Sequence, residues 1–447
     1  MKLQIEKVVY GGAGLAHQTE GDDAGRAVFV PFTLPGETVE AQLIAAKPGH
    51  AEAEPVRIIA PSNARVEARC PHFGQCGGCQ LQHAEYASQV QIKVDTLRET
   101  LERSGLTSLP EVEAHRAEPW EYRNRIRLRV AAVEGALRLG YNRPGSHEFL
   151  PIEQCPIAAP LLWRAAVALL QVAVNDPAAE RWLRATVEVE FFTSGDESKL
   201  QMTLFVRKEL SVGFDRLCEA LQALVPELTG AGVSLLAKES AQKRRRTERP
   251  LTGAKTGARW GADGLAYSAA GQDYWVSRGG FFQVNRLLVD EMVRVVTVGR
   301  SGRMAWDLYA GVGLFSRALA RRFEQVVAVE GAETAALDLS RALKGKGMRA
   351  VCASTADFLR DAVVQRERPE LVVMDPPRAG VGAEVCALLA RLKAAELVYV
   401  SCDPVTLSRD LRGMVDSGYT LVELHMIDMF PQTFHIEAVA VLKRESQ

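Results

Sequence analysis

The last third of the chain repeats one pattern: a short apolar run, a polar or acidic residue at its end, then helical spacing. Met304–Leu308 leads into Tyr309-Ala310-Gly311-Val312-Gly313, with a helix expected over Ser316–Arg322. Val326–Val329 ends in Glu330-Gly331, Ala350–Ala353 precedes Asp357, and Leu371–Met374 ends in Asp375-Pro376-Pro377-Arg378. Val398–Val400 runs into Ser401-Cys402-Asp403-Pro404, and two further runs follow at Leu421–Asp428 and Glu437–Leu442. Continuous apolar runs this short fit strands buried on both faces, which a sheet covered by helices provides. The pattern predicts an α/β fold with a seven-stranded doubly wound sheet, ligands binding at the carboxyl ends of its strands.

Gly311 and Gly313 let a ligand approach the backbone where a strand gives way to a helix. Glu330 closes the next strand at the spacing suited to a ribose diol. There is no third Rossmann glycine and no phosphate-binding Lys-Ser/Thr pair. S-adenosylmethionine therefore fits better than a nicotinamide or a nucleoside triphosphate.

Cys402 ends a strand immediately before the helical spacing of Val405–Met414. A lone buried cysteine is more often a small core residue than a nucleophile, so it needs partners. Asp375-Pro376-Pro377 is similar to the Asp/Asn-Pro-Pro of amino-group methyltransferases, which continue with a base-stacking aromatic. Here Arg378 follows, and a thiol comes one strand later, which suits methylation of carbon. Pyrimidine C5 is a poor nucleophile until a thiolate adds at C6, and a base must then remove the C5 proton. Glu437, at the start of the last strand, is the best-placed carboxylate; His435 ranks second.

Eight cysteines are unevenly spread, and Cys70, Cys76 and Cys79 form a C-x5-C-x2-C group with glycines between them. Cys155 sits before Pro156, as at some iron–sulfur ligands. Four thiolates suit a 4Fe–4S cluster or a structural zinc. In a reducing compartment a disulfide framework is not expected. With 47% hydrophobic and 24% charged residues and no span of about 20 apolar residues, a cytoplasmic protein without a membrane segment is expected.

Net charge is −1, yet local charge is uneven. Trp120–Arg143 carries six arginines and two glutamates, and Lys238–Arg259 eight basic and two acidic residues. The alternation of Arg123, Arg125, Arg127 and Arg129 puts four like charges on one strand face, an expected RNA-backbone surface. Lys243-Arg244-Arg245-Arg246 is expected in an exposed loop. Short β-rich runs at Gln4–Tyr10, Ala27–Phe32 and Thr38–Ala45, split by turn signals, predict a small barrel over residues 1–60, OB-like in type. That segment has five basic and eight acidic residues, so charge alone does not make it grip phosphates. A helix at Leu161–Val174, strands at Thr186–Phe192 and Leu200–Arg207 and a helix at Asp215–Leu224 predict a central α+β domain over 61–275, leaving 276–447 as the cofactor domain.

Taken together, Cys70/Cys76/Cys79/Cys155, Trp120–Arg123, Gly280–Asn285, Asp307–Phe315, Asp375–Gly380, Ser401–Asp410 and Phe430–Glu437 resemble the S-adenosylmethionine-dependent RNA uracil-C5 methyltransferases. The likeness is to the bacterial 23S ribosomal-RNA branch, with its RNA-binding TRAM barrel. It implies Cys402 as nucleophile and Glu437 as base. It also implies cofactor contacts from Gln283, Tyr309, Glu330, Asp357 and Asp375, and a 4Fe–4S cluster on the four cysteines. A monomer acting on 23S ribosomal RNA is expected, because the tRNA-specific branch lacks barrel and cluster. A tRNA enzyme, an RNA-binding assembly factor and an amino-group methyltransferase are the alternatives.

Overall fold

The computed structural model describes residues 1–19, 24–208, 210–236 and 253–444. The expected loop Lys243–Arg246 and the turn at Gly21-Asp22-Asp23 lie outside the described residues.

Residues 2–60 form a six-stranded sheet around Leu3, Ile5, Val28, Val30 and Val39. The Tyr86–Arg103 helix follows. A seven-stranded sheet spans Arg125–Gly261, covered by the Pro160–Asn175, Pro177–Ala185 and Phe214–Leu224 helices.

The C-terminal sheet has the seven expected strands. Their spatial order is Met348–Cys352, Phe323–Glu330, Gly302–Leu308, Leu371–Met374, Glu396–Ser401, Glu437–Arg444 and Tyr419–Ile427. An eighth, Val112–His115, joins the outer edge in parallel with Tyr419–Ile427. The sequence reading missed it because four residues carry no usable period. Leu371–Met374 and Glu396–Ser401 are buried throughout or nearly so, as the unbroken apolar runs require.

The expected boundary at 275/276 falls inside a strand, Gln272–Ser277. That strand and Gly264–Ala269 form a hairpin whose Leu265, Tyr267, Tyr274 and Val276 pack into one core with Val289, Met292 and Phe315. Apolar burial thus attaches the hairpin to the methyltransferase sheet.

The arginine strand differs from expectation. It begins at Arg125, and its neighbour Thr186–Thr193 supplies the counter-charges. Arg125 pairs with Glu190 at 3.4 Å and lies over Phe192, while Arg127 pairs with Glu188 at 2.6 Å and lies over Phe205. Arg129 donates to Asn142 and to the His147 carbonyl. Three like charges on one strand face are tolerated because the adjacent strand pairs two of them with glutamates. Arg123 lies before the strand, near Tyr141 and Cys155. Among the described residues no helix is long and apolar enough to cross a membrane.

Candidate active site

The parallel strands end on one edge, and the antiparallel last strand begins there. Leu308 pairs with Met374 and with Val329, so Tyr309, Asp375 and Glu330 emerge side by side. Met374 pairs with Tyr399, and Ser401 with Ala438. One further step along each strand brings Cys402 opposite Glu437. These residues, with Gln283 and Arg378, line a cavity of about 2330 Å³.

Burial and neighbouring carboxylates set the charge states. Desolvation, then Glu437 and Asp375, pushes the Cys402 thiol up to about 12, and Arg378 opposes this. Burial, then the Asp375 charge, holds the Glu437 carboxyl well above the usual range. Asp375 keeps contact with solvent through the cavity, yet desolvation and Asp307 push it up to about 7, while a hydrogen bond from Gln283 opposes them. Burial and mutual repulsion raise the proton affinity of all three acids, and Arg378 is the cation facing the thiol.

Tyr309 has φ +61°, a left-handed conformation uncommon for a tyrosine, at the turn before the Gly311–Gly313 loop. Glu330 accepts from Gly311 N at 2.8 Å and Ala332 N at 2.7 Å, which pins its side chain at the cavity wall. Asp357 departs from expectation. It is exposed, accepts from Ser354 Oγ at 2.6 Å and pairs with Arg360. At the start of a helix its charge is satisfied locally, and Ser354, Thr355 and Ala356 line the cavity instead.

The loop before Glu437 is held by distant residues. Lys93 Nζ donates to Asp428 at 2.6 Å and to the Phe430 carbonyl at 2.9 Å. Gln89 exchanges hydrogen bonds with Gln432, and Tyr122 Oη donates to the Pro431 carbonyl. Asn285 Nδ2 donates to the Asp428 and Met429 carbonyls. The Trp120–Arg123 and Gly280–Asn285 motifs therefore supply Tyr122 and Asn285 to brace this loop. His435 packs on Phe430 and Phe434 and does not line the cavity, whereas Glu437 does. Phe282 is buried against Tyr267 and Tyr274, and the exposed aromatic on the cavity wall is Phe281. Sequence reasoning passed over Phe281, since adjacent phenylalanines give no sign of which one faces out.

The cysteine-bearing loops meet. Glu153 N donates to His72 Nε2 at 3.0 Å and Gly77 N to the Asn142 carbonyl at 3.1 Å. The Cys155 thiol, raised to about 11 mainly by burial, senses Cys76 and Cys70, and Cys79 senses Cys155 and Cys76. The sulfurs do not close into a set mutually within 4.8 Å. Half-buried thiols on adjoining loops, with Arg123 favouring the ionised forms of Cys79 and Cys155, have the donor chemistry of a thiophilic metal site.

Residues 85–445 match the family model described as tRNA (Uracil-5-)-methyltransferase. The chain belongs to this family of RNA uracil-C5 methyltransferases. Residues 1–56 match the TRAM domain. As a member of the family it is a methyltransferase acting on RNA with S-adenosylmethionine. An uncharacterized RNA methyltransferase of Halalkalibacterium halodurans is 30% identical over 99% of this chain and 96% of its own. The 23S rRNA (uracil(1939)-C(5))-methyltransferase RlmD of Chromohalobacter salexigens is 31% identical over 99% and 89%. RlmD of Alkalilimnicola ehrlichii is 31% identical over 100% and 97%.

The fold is that of the Pyrococcus abyssi tRNA (uracil-54, C5)-methyltransferase solved with S-adenosyl-L-homocysteine. Its TM-score is 0.74 at 22% identity, over 99% of this chain and 100% of that one. A tRNA enzyme thus shares the architecture along its whole length.

Proposed function

We propose that this uracil-C5 methyltransferase modifies a uridine of 23S ribosomal RNA through a covalent Cys402–C6 adduct. The observation that carries the mechanism is the meeting of Cys402, Glu437 and Asp375 at one sheet edge inside one cavity. Its volume, about 2330 Å³, exceeds the roughly 300–1,000 Å³ of a single small-molecule site, leaving room for two ligands. Ribosomal RNA is favoured by the RlmD relatives.

Gln283, Tyr309, Glu330 and Asp375 are the residues that would hold the methyl donor. S-adenosylmethionine supplies an electrophilic methyl group on a sulfonium cation. Arg378 favours the Cys402 thiolate. Sγ bonds to C6, and the C5=C6 electron pair shifts to give an enolate with nucleophilic C5. Once C5 carries the methyl group, Glu437 takes its proton. The C5=C6 bond re-forms as the C6–Sγ bond breaks, returning the thiolate. A uridine within structured RNA must leave its stack to reach the thiol.

The seven-stranded sheet borders the same cavity through Arg127, Phe205 and Arg259, so RNA would lie between the two sheets. Cys70, Cys76, Cys79 and Cys155 would hold a 4Fe–4S cluster, a reading supported by their spacing and by the meeting of the loops that carry them. Iron, sulfide and zinc analysis of anaerobically purified protein separates this from a zinc site. A cytoplasmic monomer completes the reading.

Labelled methyl transfer to 23S ribosomal RNA and to tRNA tests the substrate. Mapping 5-methyluridine in RNA from cells with and without the protein locates the target. Transfer to tRNA alone refutes the ribosomal assignment; full activity in Cys402→Ala refutes the adduct.

A further inference from the structure

At the outer side of the C-terminal sheet, two strands over from Glu437 and facing a different cavity, two histidines and three glutamates converge. Glu113 and His115 lie on the short Val112–His115 strand, and His425 on the neighbouring strand, with His425 in register with Glu113. His115 Nε2 and His425 Nδ1 are 3.1 Å apart. Glu113 places Oε1 at 3.8 Å from the first and Oε2 at 3.4 Å from the second. The cluster opens onto a separate cavity of about 560 Å³.

The remaining nitrogen of each ring also faces a carboxylate. His115 Nδ1 is 2.7 Å from Glu291 Oε1, and His425 Nε2 is 3.4 Å from Glu423 Oε2. Arg294 pairs with Glu291, and Arg300 approaches Glu423, so these two acids are themselves held.

Neutral rings leave this network frustrated. With its Nδ1 proton directed to Glu291, His115 presents a lone pair at Nε2. His425 satisfies that lone pair only by carrying its proton on Nδ1, which turns the Nε2 lone pair towards Glu423. A cation between the rings removes the conflict. Both inward nitrogens then donate lone pairs to it, and both outward N–H groups donate to carboxylates. That is the usual outer-shell arrangement of metal-bound histidines. The separations of 3.1, 3.4 and 3.8 Å bracket the roughly 3.3–3.4 Å between donors that lie about 2.0–2.1 Å from a tetrahedral ion.

We propose that Glu113, His115 and His425 form a site for a divalent transition ion of the zinc class, with Glu291 and Glu423 orienting the two imidazoles. The fourth position opens to the cavity. The ion would staple a four-residue edge strand, which pairs with one neighbouring strand, to the strand that continues into the Asp428–His435 loop.

The test is zinc competition against a chromophoric chelator, using the purified full chain with the metal content of its four clustered cysteines measured beforehand. Wild type is expected to take up one further equivalent that Glu113→Gln and His425→Gln lose, with the metal content of the cysteines unchanged. Glu291→Gln keeps all three ligands and should weaken binding about 10–100-fold. Cobalt added to wild type should give nitrogen/oxygen d–d bands without new sulfur charge transfer, a readout independent of any variant's folding. Failure of wild type to compete, equal uptake by Glu113→Gln, or a sulfur-dominated cobalt spectrum would each overturn the site.

Discussion

Gln283 Nε2 donates to Asp375 Oδ2 at 3.1 Å, tying the loop after the 264–277 hairpin to the end of the Leu371–Met374 strand. Asp375 is pushed up to about 7 by burial and by Asp307, against roughly 3.9 in an unfolded chain. Between those values the native chain binds more protons than the unfolded one. The carboxyl's contribution to stability is therefore fully present below about pH 4 and lost as pH rises to about 7. Asp375→Asn keeps an acceptor for Gln283 and removes that ionisation penalty. Its melting temperature should exceed wild type at about pH 8 and converge with it near pH 4, while methyl transfer falls.

Glu437→Gln should add Cys402 to C6 and transfer the methyl group but fail to remove the C5 proton. A covalent protein–RNA band should accumulate on denaturing gels with ordinary RNA. Cys402→Ala should give no band, even with RNA carrying 5-fluorouridine. A Glu437→Gln enzyme that turns over normally without a trapped species would assign the proton removal elsewhere.

Tyr10 reaches from the N-terminal sheet to the nucleophile's neighbour. Its Oη donates to Asp403 Oδ2 at 3.1 Å, while Asp403 Oδ1 caps the next helix at Val405 N and Thr406 N. Tyr10→Phe should cost about 0.5–1.5 kcal/mol of stability. A drop in kcat of up to about tenfold with unchanged KM for RNA would mark a positioning role rather than RNA contact. Steady-state kinetics and denaturant melts together decide this.

Lys93 and Asp428 form a buried ion pair, with side chains 1% and 0% exposed. Lys93→Met leaves a buried carboxylate uncompensated and should destabilise by about 3–5 kcal/mol, with loss of activity through the Asp428–His435 loop. Lys93→Met combined with Asp428→Leu should recover much of that stability, as a double-mutant cycle by urea denaturation would read.

Much of this was legible along the chain because the cues are local. Strands buried on both faces announce themselves as unbroken apolar runs, and the residue closing each run must stand at the ligand-binding edge. Cys402, Asp375, Glu330 and Tyr309 could be named for that reason. Glu437 was legible too, although its strand runs the other way, since it opens an apolar run. Asp357 stands three residues into its helix region, where Ser354 and Arg360 satisfy its charge, a placement that no apolar run announces.

By itself the sequence determined the period of each element, the edge on which its functional residues stand, and the cysteine spacing. The tertiary structure alone decided what faces what. It set Glu188 and Glu190 against an arginine strand that had looked unpaired. It packed the 264–277 hairpin onto the methyltransferase core and brought Lys93, Gln89 and Tyr122 onto one loop. It joined His115 to His425, 310 residues apart. Strand pairing and ion pairing depend on distance in space, and local periodicity carries no information about which distant strand becomes a neighbour.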